Sequence, residues 1–205
     1  MSLHADMLQP DPLAQFTRWF DDWRENQRAQ PPEMMTVDAM ILATTGADGL
    51  PWARTVLLKQ VDARGFVFFT NRESNKGLQL AANPQAALHF LWLPLGRQVL
   101  VQGTVEQTTA AEDDAYFASR PRESQLGAWA SAQGRPLASR DHLMDRFMAF
   151  GNQYAGGDVP RPPYWGGYRL LPRRVEFWQA GAHRLHDRYA YELADGAWRI
   201  QRLNP

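Results

Sequence analysis

Residues 39–59 read AMILATTGADGLPWARTVLLK, two runs rich in Val, Leu, Ile and Thr on either side of Gly46-Ala47-Asp48-Gly49. Two such runs, Ala39 to Thr45 and Leu50 to Lys59, separated by a turn of Gly and Asp, predict an antiparallel hairpin. The same pattern continues outward through Phe66 to Thr70, Ala86 to Leu93 and Gln98 to Gln107. The intervening turn signals are Asp62-Ala63-Arg64-Gly65, Asn83-Pro84 and Pro94-Leu95-Gly96. Strands with gaps this short predict an antiparallel meander or barrel. Strand character returns at Tyr164 to Leu171, Arg174 to Gln179, Arg188 to Leu193 and Ala197 to Leu203, the last pair joined by Ala194-Asp195-Gly196.

Helical pattern flanks and interrupts these strands. Asp11-Pro12 supplies an N-cap and a proline at the first helical position, and Leu13, Phe16, Trp19, Phe20 and Trp23 follow at helical spacing, up to the Pro31-Pro32 break. A second helical stretch runs from about Thr109 through Tyr154, divided by Pro121, Gly134 and Pro136. The expectation is a mainly β protein with helical insertions, one domain over residues 1–205. Within it lie an N-terminal helix at 11–30, a helical insertion at 109–154 and closing strands at 164–205.

Composition narrows the chemistry. There are no cysteines, which excludes disulfides, thiolate metal sites and thiol nucleophiles, so redox work needs a bound cofactor. Lys+Arg 22 against Asp+Glu 22 gives formal charge zero and disfavours a nucleic-acid or membrane surface. With no apolar run near bilayer length, the expected place is the cytoplasm. Only two of the 22 basic residues, Lys59 and Lys76, are lysine. A compact ammonium retained in an arginine-rich chain marks both as candidates for gripping an anion.

Four clusters carry candidate chemistry. In Arg54-Thr55-Val56-Leu57-Leu58-Lys59 a charge stands at each end of an apolar strand, and the pleat sends Arg54 and Lys59 to opposite faces. In Thr70-Asn71-Arg72-Glu73-Ser74-Asn75-Lys76 a strand meets a helix start, where free N–H groups and the helix dipole favour a phosphate. Tyr116, Arg120 and Ser124 sit around a second helix start and can converge on another anion. Val175-Glu176-Phe177-Trp178-Gln179 with Arg184-Leu185-His186-Asp187-Arg188 gathers aromatic, imidazole and guanidinium groups in one strand–turn–strand. His183 and His186 sit three apart with Asp187 beside them, but no third ligand of matching register is evident, so no metal is expected. Neither GxGxxG nor GxxxxGK[ST] occurs.

These motifs, in order, resemble the pyridoxamine 5′-phosphate oxidase family. The strongest match is the Val175–Gln179 and Arg184–Arg188 pair. Arg54–Lys59, Phe68-Phe69-Thr70-Asn71, Arg97-Gln98-Val99, Ser119–Gln125 and Tyr164-Trp165-Gly166-Gly167 support it in register. The resemblance implies an antiparallel split β-barrel homodimer holding FMN at the subunit interface. It implies oxidation of pyridoxamine or pyridoxine 5′-phosphate to pyridoxal 5′-phosphate, with O2 as acceptor and H2O2 as product. By motif, Arg54, Phe69, Thr70, Lys76, Gln98, Gln133, Trp178 and Arg188 match cofactor positions. Lys59, Tyr116, Arg120 and Ser124 match positions that grip the substrate phosphate, and Arg184 and His186 match catalytic residues that also bind substrate.

The chain departs from the family pattern at Asn75, where a basic residue usually precedes the lysine, and at Gly134, where serine commonly follows Gln133. The segment before Pro10 also lacks the Arg-Arg-Glu-Tyr type lid of many members. Two alternatives stay open at this stage: a phenazine-biosynthesis type FMN oxidase on the same scaffold, and a non-catalytic flavin or pyridoxal phosphate carrier. The four-residue phosphate cluster weighs against a substrate without phosphate.

Overall fold

Strands β1 (Ala39–Thr45) and β2 (Pro51–Leu57) form the hairpin expected from residues 39–59, with Ala39 opposite Leu57 and Thr45 opposite Pro51. The computed structural model describes residues 3–29 and 37–205, so the Pro31-Pro32 break lies outside the described residues. Further strands are β3 (Gln60–Asp62), β4 (Gly65–Asn71), β5 (Gln85–Trp92), β6 (Arg97–Gln107), β7 (Trp165–Gln179), β8 (Asp187–Ala194) and β9 (Ala197–Leu203). Among the described residues they make one nine-stranded antiparallel sheet, ordered β2-β1-β5-β6-β7-β4-β3, with β8 on β7 and β9 on β8. This is the split-barrel sheet expected, but it is not a simple meander. β4 pairs with β7, and helix α2 (Asn75–Ala82) carries the chain from β4 to β5, which returns beside β1.

The runs read separately as Tyr164–Leu171 and Arg174–Gln179 are one strand that passes through Pro172. Proline has no N–H to give a ladder, and the β6–β7 register shifts between Gln102 and Gly103 at this point. A Cβ on Gly103 would lie 2.0 Å from the Leu171 carbonyl oxygen, so only glycine allows the close approach. Beyond the bend β7 changes partner: residues 165–170 sit on β4, and residues 174–179 sit on β8.

Helix α1 (Pro12–Ala29) packs its buried face on the core of the sheet. Asp11 caps it as expected, its Oδ1 accepting from the Leu13 N–H at 2.9 Å. The aromatic stripe meets sheet aromatics: Phe16 lies 4.8 Å from Phe66 and 4.7 Å from Phe90, and Trp19 lies 5.2 Å from Phe177. The helical insertion resolves into α3 (Ala110–Ser119), α4 (Arg122–Ala130) and α5 (Arg140–Gln153). A smaller cluster of Phe117, Leu126, Val159 and Trp165 docks these helices on the ends of β4 and β7. No helix among the described residues is long and apolar enough to cross a membrane.

Candidate active site

A cleft of about 630 Å³ opens where the ends of β2 and β4 meet the helical insertion. Eight of the residues singled out in the sequence line it: Lys59, Phe69, Thr70, Lys76, Tyr116, Arg120, Ser124 and, from the loop after α4, Gln133. Thr55, Asn71 and Trp165 also face it. Ser124 sits in the first turn of α4, its N–H donating to the Pro121 carbonyl at 2.9 Å.

The cations of this cleft are held in three different ways. Lys76 is buried in the first turn of α2, and its Nζ donates to Gln133 Oε1 at 3.0 Å, Ser74 Oγ at 3.2 Å and Thr70 Oγ1 at 3.3 Å. All three acceptors are neutral, and among the described residues no carboxylate stands within ion-pair distance. Burial, and then the nearby Arg54 guanidinium, push its ammonium down to about 8. Arg120, at the C-terminal cap of α3, lies over the Trp165 ring at 4.8 Å and the Phe117 ring at 5.5 Å. Its Nη1 is buried without a hydrogen-bond partner among the described residues, and burial lowers its pKa. Lys59, by contrast, already pairs with Asp38 at 2.5 Å.

An aromatic stack forms the floor beside Arg120. Phe69 and Tyr116 stack at 4.0 Å, and Phe69 and Trp165 at 5.5 Å with only 10° between their planes. The neighbouring glycines explain why this stack can form. A Cβ on Gly167 would lie 2.4 Å from Thr108 Oγ1 and 2.7 Å from the Phe69 ring, and one on Gly166 would run into the Arg72 guanidinium. The space left by Gly166 is shared with buried Asp113, which accepts from Arg72 Nη2 at 2.8 Å, the Gly167 N–H at 2.7 Å and Thr108 Oγ1 at 2.5 Å. That network ties α3, which carries Tyr116 and Arg120, to β7 and to the loop after β4.

The remaining candidates do not line this cleft. Arg54 projects from the other face of β2, as the pleat predicts, donating to Gln79 Oε1 at 3.0 Å, Thr44 Oγ1 at 2.5 Å and the Leu42 carbonyl at 3.2 Å. Gln98, Trp178 and Arg188 are direct cross-strand partners on one rung of β6, β7 and β8, and therefore share a face. On that face Leu91 opposes Gln98, and Ile41, His89 and Leu100 form the next row. Ile41, Leu91 and Leu100 are exposed there. Arg188 is held by Glu176 Oε1 at 2.7 Å and 2.9 Å.

Arg184 and His186 lie on the adjoining turn. His183 and Arg184 both take left-handed backbone angles, φ 55° and 63°, a conformation that side chains rarely adopt and that marks a constrained turn. A Cβ on Gly181 would lie 2.0 Å from the Leu185 carbonyl, so the turn closes only on glycine. The Gly181 N–H donates to His186 Nδ1 at 3.2 Å, which leaves Nε2 as the proton-bearing nitrogen of the neutral ring. Trp178 packs against that ring at 4.5 Å.

The sequence candidates thus fall in three places: one set lines the cleft, Gln98, Trp178 and Arg188 share the exposed sheet face with Arg184 and His186 on the turn beside it, and Arg54 lies on the opposite face of β2. Asp38, Gln79 and Asp113 anchor them and were missed, each distant in sequence from the group it holds, with no local spacing pointing to it. Glu176, inside the Val175–Gln179 motif, had no role assigned and holds Arg188.

Comparison with known proteins carries the assignment further. Residues 32–153 match the family model described as pyridoxamine 5′-phosphate oxidase, and residues 165–205 match the pyridoxine 5′-phosphate oxidase C-terminal dimerisation region. The chain belongs to the pyridoxamine 5′-phosphate oxidase family. A pyridoxine/pyridoxamine 5′-phosphate oxidase of Myxococcus xanthus is 52% identical over 99% of this chain and 96% of its own length. One from Cupriavidus taiwanensis is 56% identical over 100% and 93%. Among solved structures, PhzG from Burkholderia lata in complex with tetrahydrophenazine-1-carboxylic acid superposes with a TM-score of 0.89 at 29% identity, covering 99% of this chain and 98% of its own. A pyridoxamine 5′-phosphate oxidase-related, FMN binding protein of Nostoc punctiforme shares the fold, with a TM-score of 0.74 at 16% identity over 97% and 99%. The family's sheet is therefore the one described above, and β7 to β9 are its dimerisation region.

Proposed function

We propose that this member of the family is an FMN-dependent oxidase that converts pyridoxamine or pyridoxine 5′-phosphate to pyridoxal 5′-phosphate, with O2 as acceptor and H2O2 as product. The observation that carries the reading is the pair of cations that, among the described residues, have no counter-charge in one cleft, buried Lys76 on one wall and Arg120 with its orphaned Nη1 on another. Leaving such groups unpaired is costly unless anions complete them. Two phosphate-bearing molecules, cofactor and substrate, supply two.

The residues fit FMN on these grounds. Lys76, with Thr70 and Gln133 already hydrogen-bonded to it, would hold the cofactor phosphate, and Arg54 behind the strand would add positive potential. Phe69 would pack beside it; Gln98, Trp178 and Arg188 would complete the pocket from the sheet rung. Bound FMN would supply the hydride acceptance and oxygen reactivity that a polypeptide without cysteine lacks. Lys59, Tyr116, Arg120 and Ser124 would fix the substrate phosphate and so orient the ring. Arg184 and His186 would cover the substrate, His186 holding or passing a proton at Nε2.

The rung and turn residues do not line the cleft of their own chain, so a homodimer in which the dimerisation region of one copy meets the cleft of another would complete each site. The exposed Ile41, Leu91 and Leu100 beside the rung suit burial in that contact. Residues 1–205 are read as one FMN-binding domain acting in the cytoplasm on small molecules. The likeness to PhzG keeps a phenazine-type oxidase as the second reading, but the four-residue anion grip favours a phosphorylated substrate. The test is an aerobic assay of the flavin-loaded protein with pyridoxamine 5′-phosphate and with pyridoxamine. Peroxide and aldehyde from the first but not the second supports the reading; equal rates, or none with either, overturns it.

A further inference from the structure

Among the described residues Lys59 is the one cleft cation that already carries a carboxylate, and the pairing is built into the backbone. Asp38 immediately precedes β1 and Lys59 follows β2 at the open end of their hairpin, where Ala39 opposes Leu57. The Leu58 N–H donates to the Asp38 carbonyl at 2.8 Å, and the Lys59 N–H donates to the Val67 carbonyl of β4 at 2.8 Å. Both side-chain stems therefore start from fixed positions, and Lys59 Nζ meets Asp38 Oδ2 at 2.5 Å with the two side chains 25% and 24% exposed. Neither Lys76 nor Arg120 has a carboxylate within ion-pair distance among the described residues.

We infer that Asp38 is a counter-charge that weakens the cleft's grip on the substrate phosphate and so limits how firmly substrate and product are held. This rests on the reading of Lys59 as a phosphate ligand. A phosphate monoester carries about −1.5 to −2 at neutral pH. Lys59 and Arg120 alone would nearly balance it, but Asp38 cancels one of the two positive charges. An anion at Lys59 must share the ammonium with a carboxylate held on the same hairpin. Substrate and product carry the same phosphate, so any loosening acts on both and favours release of the aldehyde. Asp38 does not touch the reacting atoms in this account; it acts through Lys59.

The test uses the flavin-loaded enzyme and competitive inhibition of oxidase activity by inorganic phosphate and by pyridoxal 5′-phosphate. For Asp38→Asn, removing one like charge a few ångströms from the anion in a partly exposed site is expected to lower both inhibition constants about fivefold. The KM for pyridoxamine 5′-phosphate should fall with them, while flavin affinity stays unchanged. An Asp38→Asn enzyme with unchanged or weaker inhibition by phosphate overturns the inference, since Asp38 would then merely hold Lys59 in place. Lys59→Met separates the two layers of the argument. It should raise both inhibition constants at least tenfold, and if it leaves them unchanged the assignment of Lys59 to the phosphate fails first.

Discussion

Replacing Lys76 with methionine should make the flavin-free protein more stable and the flavin complex weaker. The ammonium sits buried among neutral acceptors, and its pKa falls from 10.5 to about 8. A shift of that size corresponds to about 3 kcal/mol of destabilisation carried by the charged form in the folded state. Methionine removes that term at the loss of roughly 1 kcal/mol of hydrogen bonding. The acceptors left behind keep other partners: Thr70 Oγ1 still donates to Gln133 Oε1 at 3.2 Å, and Ser74 Oγ still donates to the Asn71 carbonyl at 2.7 Å. A net gain of about 2 kcal/mol raises Tm by about 4–8 °C in a chain of this length. The pH dependence has a definite sign. Between about 8 and 10.5 the unfolded chain holds a proton at Lys76 that the folded chain has lost, so stability of the flavin-free wild type rises with pH across that window. Below it both states are protonated and the full cost is present; in Lys76→Met the slope disappears. Flavin affinity should drop about 10- to 100-fold with the loss of a charged hydrogen bond. Thermal unfolding of flavin-stripped protein at matched protomer concentration and a flavin fluorescence titration measure the two effects. A Lys76→Met protein that melts lower than wild type and binds FMN equally well would refute the reasoning.

Other substitutions separate the remaining roles. Arg120→Met should raise the KM for the phosphorylated substrate by about 100-fold, in line with loss of a buried charged contact, and leave flavin bound; steady-state kinetics beside the visible spectrum will tell. Gly167→Ala drives a Cβ against Thr108 Oγ1 and the Phe69 ring, so a loss of about 1–3 kcal/mol, read as a lower urea midpoint, is expected together with weaker flavin retention. Arg184→Ala, on an exposed turn away from the cleft of its own chain, should keep flavin and Tm while turnover falls about 100-fold; a colourless mutant would contradict that division of roles.

Much of this protein was legible in the linear chain because its signals are local. Short runs of strand-forming residues between turn signals identified the sheet strands apart from the three-residue β3, and helical spacing with Asp11-Pro12 placed α1, since each depends on neighbours within a few residues. The pleat of β2 was enough to send Arg54 and Lys59 to opposite faces. The ordered motifs by themselves resemble the family, because each is a run of a few adjacent residues. What the chain could not convey is which distant segments meet. β4 pairs with β7 across about a hundred residues, and the continuity of β7 through Pro172 depends on a register slip in β6, neither of which leaves a local trace. The same holds for charge. Lys76, Arg120 and Lys59 look alike in sequence, and only packing leaves the first two without a counter-ion among the described residues while placing Asp38 against the third. Pairing energies depend on distance and burial, which tertiary structure sets and residue identity alone does not.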